Sequence, residues 1–207
     1  MGDSANVLGF PQASKTGKLP KRPKNSEVRS REYLTEIEVE ALAKAAKSIG
    51  RHGHRDSTLI LLAYRHALCV SELVALRWDQ VDLKQGLLHV RRQKNGTPST
   101  HPLRGPVIRA LRKLQREPPQ SPYVFVTERR GPLTGSTVRK MVGRAGKLAG
   151  IGFPIHPHML RHACGFKLAN DGQDTRAVQH YLGHKNIMHT VRYTELNPDR
   201  FKAFWDD

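Results

Sequence analysis

Apolar residues recur at helical spacing through most of the chain. "YLTEIEVEALAKAAKSIG" predicts a helix that begins at a capping box, formed by Thr35 and Glu38, and stops at Gly50. "RDSTLILLAYRHAL" (55–68) predicts a second, more deeply buried helix. "SELVALRW" begins a third helix, with Ser71 as its N-cap.

The hydrophobic period changes after the third helix. "LLHVRRQKNGTPSTHPL" (87–103) has short extended runs on both sides of Asn95-Gly96, a dipeptide typical of hairpin turns. This pattern predicts a hairpin or a small three-stranded sheet. Helical spacing then returns in 105–117, 135–150, 157–170, 174–182, 186–196 and the terminal "NPDRFKAFWDD", whose Phe201, Phe204 and Trp205 would share a face. The expected fold class is mainly α with a small antiparallel β-sheet (α+β).

The charge of the chain indicates its partner. Lys and Arg number 35 against 18 acidic residues, a formal net charge of +17 in 207 residues. Such a charge favours a polyanion, with nucleic acid as the first expectation and a ribosomal or acidic-lipid partner as the alternative. Residues 1–31 are rich in Gly, Ser, Pro, Lys and Arg, so we expect a disordered basic arm before one domain at 32–207.

Several classes of protein are disfavoured. The two cysteines, Cys69 and Cys164, do not make a disulfide framework. The start, "MGDSANVLGF", lacks a signal-peptide pattern, and no apolar stretch reaches the ~18 residues that a membrane span needs. We therefore expect a cytoplasmic, nucleoid-associated protein with no membrane partner.

Histidines concentrate in "IHPHMLRHACGF" (155–166). His158 and His162 lie one helical turn apart, a spacing that can bind zinc, but Met159 stands where a zinc hydrolase carries its glutamate. The cationic Arg161 and the lack of a third nearby ligand disfavour a metal, so no cofactor is expected. Ordinary half-buried histidines are the plainer alternative. His158 and Arg161, at i and i+3, could instead both face a phosphate.

A tyrosine follows in the polar segment "QHYLGHKNIMHTVRYTEL". His184 comes after a Leu-Gly turn, and Tyr193 stands nine residues later between two polar residues. We interpret Tyr193 as a poor core residue and a reasonable nucleophile.

These motifs, taken in order, resemble a known family. His158-x-x-Arg161, the "LGH" that ends at His184 and then Tyr193 resemble the C-terminal boxes of the tyrosine recombinase (phage integrase) family. "HALCVSELVALRW" resembles its first box, and Lys94 falls where the family carries a β-hairpin lysine. The residues of these motifs are most similar to those of the small recombinases that invert fimbrial promoter switches. The resemblance covers the catalytic domain.

The resemblance implies metal-free phosphoryl transfer on double-stranded DNA by a multimer, expected to be a tetramer on paired sites. Tyr193 would attack the scissile phosphate and form a 3′-phosphotyrosyl link. Arg161 would stabilise the transition state, and His158 would act as general base or acid near the phenol. Lys94 would protonate the leaving 5′-oxygen, and His184 would donate a hydrogen bond to the phosphate.

One position departs from the family pattern. The first box normally reads Gly-Leu-Arg-x-x-Glu, and here it reads Ala-Leu-Cys-Val-Ser-Glu. Cys69 therefore replaces a catalytic arginine, while the supporting Glu72 is retained. Cysteine cannot donate a charged bidentate contact, and its plain interpretation is a small packed thiol. Arg65, one turn earlier, is a candidate replacement. A DNA-binding regulator that has lost cleavage is the second functional hypothesis.

Overall fold

The computed structural model describes residues 31–93, 96–117 and 120–194. These residues form a mainly helical fold with one small antiparallel sheet, which confirms the predicted fold class. The helices are α1 (Glu36–Ser48), α2 (Gly53–Arg65), α3 (Val70–Val74), α4 (Gly105–Arg116), α5 (Gly135–Leu148), α6 (His158–Asn170), α7 (Thr175–Leu182) and α8 (Met188–Thr194). The strands are β1 (Val81–Asp82), β2 (Leu87–Val90) and β3 (Ser99–Pro102).

Helix α1 begins at the predicted capping box. The backbone N–H of Glu38 donates to Thr35 Oγ1 at 3.3 Å, and that of Thr35 donates to Glu38 Oε2 at 2.8 Å. The helix ends just before Gly50, whose φ of 61° is left-handed. Local sequence therefore fixes both ends of this helix, as predicted.

Helix α2 is the centre of the core and packs against α1, α4 and α6. Its Leu59, Ile60 and Leu62 are fully buried. The sequence predicted a helix to residue 68, but α2 ends at Arg65 because Ala67 turns into the left-handed region with φ 51°. This turn directs the Ala67 carbonyl towards two arginines, described below.

Helix α3 is shorter than predicted, and its N-cap lies two residues earlier. Ser71 is not its N-cap, because Cys69 holds that position and α3 ends at Val74. The Glu72 carboxylate accepts a hydrogen bond from the backbone N–H of Cys69 at 2.8 Å. This contact ties the first-box glutamate to the residue that replaces the arginine.

The sheet has strand order β1-β2-β3, with both pairs antiparallel. Leu88 pairs with His101, and the side chains of Leu88, Val90 and His101 are buried on the core side. β3 also contacts α7, which brings the β2–β3 hairpin beside the C-terminal helices. The predicted turn residue Asn95 lies outside the described residues.

Within the described ranges, no helix combines the length and apolar character that a membrane span requires. The predicted basic arm and the terminal aromatic face lie outside the described residues, apart from Arg31.

Candidate active site

Arg161 joins three segments at one point. It lies on α6, and its Nη1 donates to the carbonyl oxygen of Ala67 at 2.7 Å. Its Nη2 donates to the carbonyl oxygen of Leu182, at the end of α7, at 2.5 Å. The guanidinium is thus fixed between the first-box turn and the loop that carries His184.

Tyr193 lies in the core, so the prediction that it is a poor core residue is wrong. The residue is 1% exposed, and its ring packs edge-on against Phe166 with centroids 5.0 Å apart. Gly165 makes room for this ring, because a Cβ at that position would lie 2.8 Å from two ring carbons. A polar helix can bury one large residue on the face that meets its neighbour, and α8 does this against α6.

The Tyr193 hydroxyl shares a hydrogen bond with a histidine. Its oxygen lies 2.8 Å from Nδ1 of His162, and this contact is buried. His158, the predicted base, is exposed and packs edge-on against the His162 ring with centroids 4.5 Å apart. The Tyr193 hydroxyl is therefore hydrogen-bonded to His162, which the sequence indicated as a metal ligand or an ordinary half-buried histidine and not as a partner of the phenol.

His184 faces the same cluster. Its Nδ1 lies 2.9 Å from Oγ1 of the fully buried Thr190, and its ring is stacked over that of Tyr193 with centroids 6.3 Å apart. A bond at Nδ1 fixes the orientation of the imidazole and leaves Nε2 available to a ligand. Thr190 was not singled out from the sequence, because a threonine in a polar helix has no distinctive spacing.

The pKa shifts describe a neutral resting site. Burial lowers the pKa of His162 to about 3 and that of His184 to about 4, with nearby cationic groups adding to both shifts. Burial raises the pKa of Tyr193. At pH 7 all three side chains are therefore uncharged, and the charge of the cluster comes from its arginines.

A second arginine lies beneath the first-box turn. Arg92 Nη1 donates to Glu72 Oε2 at 3.0 Å and to the Ala67 carbonyl oxygen at 3.2 Å. Its Nη2 donates to the carbonyl oxygen of Tyr181. Cys69 is half-buried, with Sγ 3.0 Å from Ser71 Oγ. Sequence reasoning missed Arg92, because nothing in a hairpin pattern marks one arginine as buried.

Arg65, the replacement considered from the sequence, has an exposed side chain. Lys94 lies outside the described residues. The residue before it, Gln93, donates its backbone N–H to Glu72 Oε1 at 3.3 Å, and the N–H of Thr97 donates to the Gly183 carbonyl oxygen at 3.4 Å. The described ends of the hairpin therefore lie against the same cluster.

Among the described residues, no group of three or more His, Cys, Asp or Glu side chains is placed to hold a metal ion. Both cysteines are free thiols, and burial raises the pKa of Cys164 to about 12. The side chains that hydrogen bonds and packing hold in the site are those of arginine, histidine and tyrosine, and such a set is suited to binding an oxyanion.

Comparisons with known proteins agree with this set. The model of the phage integrase family matches residues 32–200. The type 1 fimbriae regulatory protein FimE of Escherichia coli K12 is 43% identical over 182 residues, covering 85% of this chain and 91% of FimE. Tyrosine recombinase XerA of Pyrococcus furiosus is 32% identical over 206 residues, covering 98% of this chain and 66% of XerA.

Solved structures show the same fold. A crystal structure of XerA recombinase matches with a TM-score of 0.73 and 28% identity, covering 84% of this chain and 65% of that one. A lambda integrase dimer bound to a COC′ core site matches with a TM-score of 0.65 and 25% identity, covering 84% and 50%. The chain thus spans nearly all of FimE but only part of the larger recombinases. It belongs to the phage integrase family of tyrosine-type site-specific DNA recombinases.

Proposed function

We propose that the chain cleaves and rejoins double-stranded DNA with Tyr193 as nucleophile. The observation that carries this proposal is the convergence of Arg161 on α6, Tyr193 on α8 and His184 in the loop between α7 and α8. The basic net charge of +17 supports DNA as the substrate. The lambda integrase match, a structure bound to its core site, supports the same substrate class.

The proposed step is an in-line displacement at phosphorus. The Tyr193 oxygen forms a bond to the phosphorus while the bond from phosphorus to the 5′-oxygen breaks, which leaves a 3′-phosphotyrosyl link and a free 5′-hydroxyl. Arg161 and His184 hold the nonbridging oxygens, where positive charge and hydrogen-bond donors stabilise the transition state. Lys94 gives the proton to the leaving oxygen. Attack by a 5′-hydroxyl on the link reverses these bonds and rejoins DNA without ATP.

The contact between Tyr193 and His162 is a resting arrangement rather than the attacking one. Burial raises the pKa of the Tyr193 phenol and lowers the pKa of the His162 imidazole to about 3, so both shifts oppose proton transfer between them. His162 therefore holds the phenol but is too weak a base to ionise it in this environment. In the proposed attacking arrangement the phenol lies next to the phosphate held by Arg161, and the exposed His158 takes its proton.

Three finer points are also part of the proposal. The resemblance of the sequence motifs to the small recombinases that invert fimbrial promoter switches favours inversion of a DNA segment. A homotetramer acting on paired sites is part of the same proposal. The basic residues of 1–31 would act as an arm that grips DNA non-specifically, next to a catalytic domain at 32–207.

The test is a covalent-adduct assay. Duplexes that bind the protein are selected from a random library, nicked next to the candidate cleavage position and incubated with the protein. Cleavage then releases a short fragment with a 5′-hydroxyl and traps the protein on DNA, which a denaturing gel detects.

Two tyrosine variants decide the outcome. Tyr193→Phe keeps the ring packing and removes the attacking oxygen, so it should bind DNA and form no adduct. Tyr181→Phe is the matched control, because the Tyr181 hydroxyl donates to the Arg65 carbonyl oxygen at 2.7 Å and lies 3.4 Å from His66 Nδ1, away from Tyr193. An adduct that persists in Tyr193→Phe, or its absence from the parent on every selected duplex, would reject the proposal.

A further inference from the structure

The first-box turn lacks its arginine at Cys69 but does not lack a buried cation. The side chain of Arg92 is 1% exposed and lies beside Glu72, whose side chain is 5% exposed. Burial lowers the pKa of Arg92, while the adjacent Glu72 carboxylate opposes that shift and stabilises the charged guanidinium. Arg92 lies two residues after the end of β2, so a hairpin residue supplies a positive charge that the first box does not provide.

Arg92 and Arg161 share one hydrogen-bond acceptor. The carbonyl oxygen of Ala67 accepts from Nη1 of Arg161 at 2.7 Å and from Nη1 of Arg92 at 3.2 Å. Ala67 has a left-handed φ of 51°, and this conformation turns its carbonyl towards both guanidinium groups. Any movement of Arg92 therefore reaches Arg161 through this oxygen.

The charges explain why a cation is needed here. Glu72 Oε2 lies 3.0 Å from Arg92 Nη1 and 3.9 Å from Arg161 Nη1. Arg92 neutralises the buried carboxylate, so the charge of Arg161 remains available to a phosphate. Without Arg92, the carboxylate would pair with Arg161 and cancel the charge on which the transition state depends.

We propose that Arg92 is a positioning residue that takes over the electrostatic share of the arginine replaced by Cys69. It does so by neutralising Glu72 and by holding the Ala67 carbonyl, and through them it keeps Arg161 turned to the scissile phosphate. Arg92 is too deeply buried to touch DNA itself. This inference rests on the proposed function, since it concerns the rate of the tyrosyl cleavage step.

The test measures the single-turnover rate of adduct formation on the nicked duplex, with protein in saturating excess and below the melting temperature of each variant. Arg92→Met should slow the rate on the order of 100-fold, because the unpaired Glu72 carboxylate would cancel the charge of Arg161, which is equivalent to the loss of one transition-state donor; Kd for DNA should stay within about threefold. Arg92→Lys keeps the charge but loses the fork geometry of the guanidinium, so its rate should lie between those of the parent and Arg92→Met. Arg91→Met, the exposed neighbour, is the control for loss of one positive charge and should keep the parent's rate.

Rescue separates this role from a merely structural one. Cys69→Arg should raise the cleavage rate of Arg92→Met by at least about tenfold but that of the parent by less than about threefold. In the parent, Arg92 already supplies the positive charge that the new arginine would add. If Arg92→Met fails to fold, the same comparison is made with Arg92→Lys. Folded Arg92 variants as fast as the parent, or an equal gain from Cys69→Arg in both backgrounds, would overturn the inference and leave the recombinase proposal standing. No adduct from any chain, Cys69→Arg included, would reject the recombinase proposal and this inference together.

Discussion

Gly165→Ala directly tests the packing of the Tyr193 ring against α6. The added Cβ would lie 2.8 Å from Cε2 and Cζ of the tyrosine ring and 2.9 Å from Cε1. Ordinary contacts between such atoms begin near 3.4 Å, so the ring or α6 must move by roughly 0.6 Å. The ring is rigid and fully enclosed, and it cannot yield by changing a terminal torsion.

The expected cost follows from three effects. Overpacking of a buried site costs about 1–3 kcal/mol. A shift of this size stretches the 2.8 Å contact between Tyr193 and His162 to the limit of a hydrogen bond, which costs about 1 kcal/mol more. Alanine returns about 1 kcal/mol through its helix propensity. We therefore expect Gly165→Ala to lower the free energy of unfolding by about 1–3 kcal/mol.

Urea unfolding monitored by circular dichroism measures this change, and Gly143→Ala on α5 is the matched control. A Cβ at Gly143 would meet its nearest atom, the Ile155 carbonyl oxygen, at 4.0 Å. The control should therefore gain up to about 1 kcal/mol from helix propensity alone. In a Tyr193→Ala background, which removes the ring, Gly165→Ala should change from destabilising to neutral or stabilising. A Gly165→Ala protein as stable as Gly143→Ala would refute the close packing of α6 and α8.

The remaining predictions concern acid, salt and metal. Burial lowers the pKa values of His66, His101 and His162 to about 4, 3 and 3, below the usual 6.5, so the unfolded chain binds protons that the folded chain does not. His184, whose pKa burial also lowers to about 4, belongs to the same set. The stabilising contribution of these four histidines is present above pH 6.5 and is lost as pH falls towards 4, with a slope of about 5 kcal/mol per pH unit. His101→Gln should reduce this slope by about a quarter and the exposed His180→Gln should leave it unchanged, so equal slopes in all three proteins would contradict the burial argument. DNA affinity should fall steeply with salt, by about 0.9 log units in Kd per log unit of salt for each phosphate contacted, and a flat titration would exclude phosphate-dominated binding. Adduct formation should continue in EDTA, and loss that zinc restores would show a metal requirement.

Local sequence patterns predicted most secondary-structure elements of this protein, and the order of its motifs predicted its family. The capping box of Thr35 and Glu38, the helical spacing of α1, α2 and α4 to α7, and the change of period at the hairpin depend on residues a few positions apart, and the structure agrees with each. The motif order identified the family, which the comparisons confirm. The predicted start of α3 is wrong, because the pattern indicated Ser71 as the N-cap. In the structure Cys69 is the N-cap, its backbone N–H donates to Glu72 at position N3, and Ser71 lies inside the helix.

Only the tertiary structure determined which side chains contact one another in the site. Tyr193 and His162 are 31 positions apart, and Arg92 meets Ala67 and Tyr181 across 25 and 89 positions. The sequence chose His158 over His162 as partner of the phenol, since both share one predicted helix face and only the packing of α8 selects between them. Burial of Tyr193 depends on the missing Cβ of Gly165, and burial of Arg92 depends on Glu72, on the carbonyl of Ala67 and on the end of α7. A buried charge or ring is stable only where distant segments supply its partners and exclude water, and no local pattern records that arrangement.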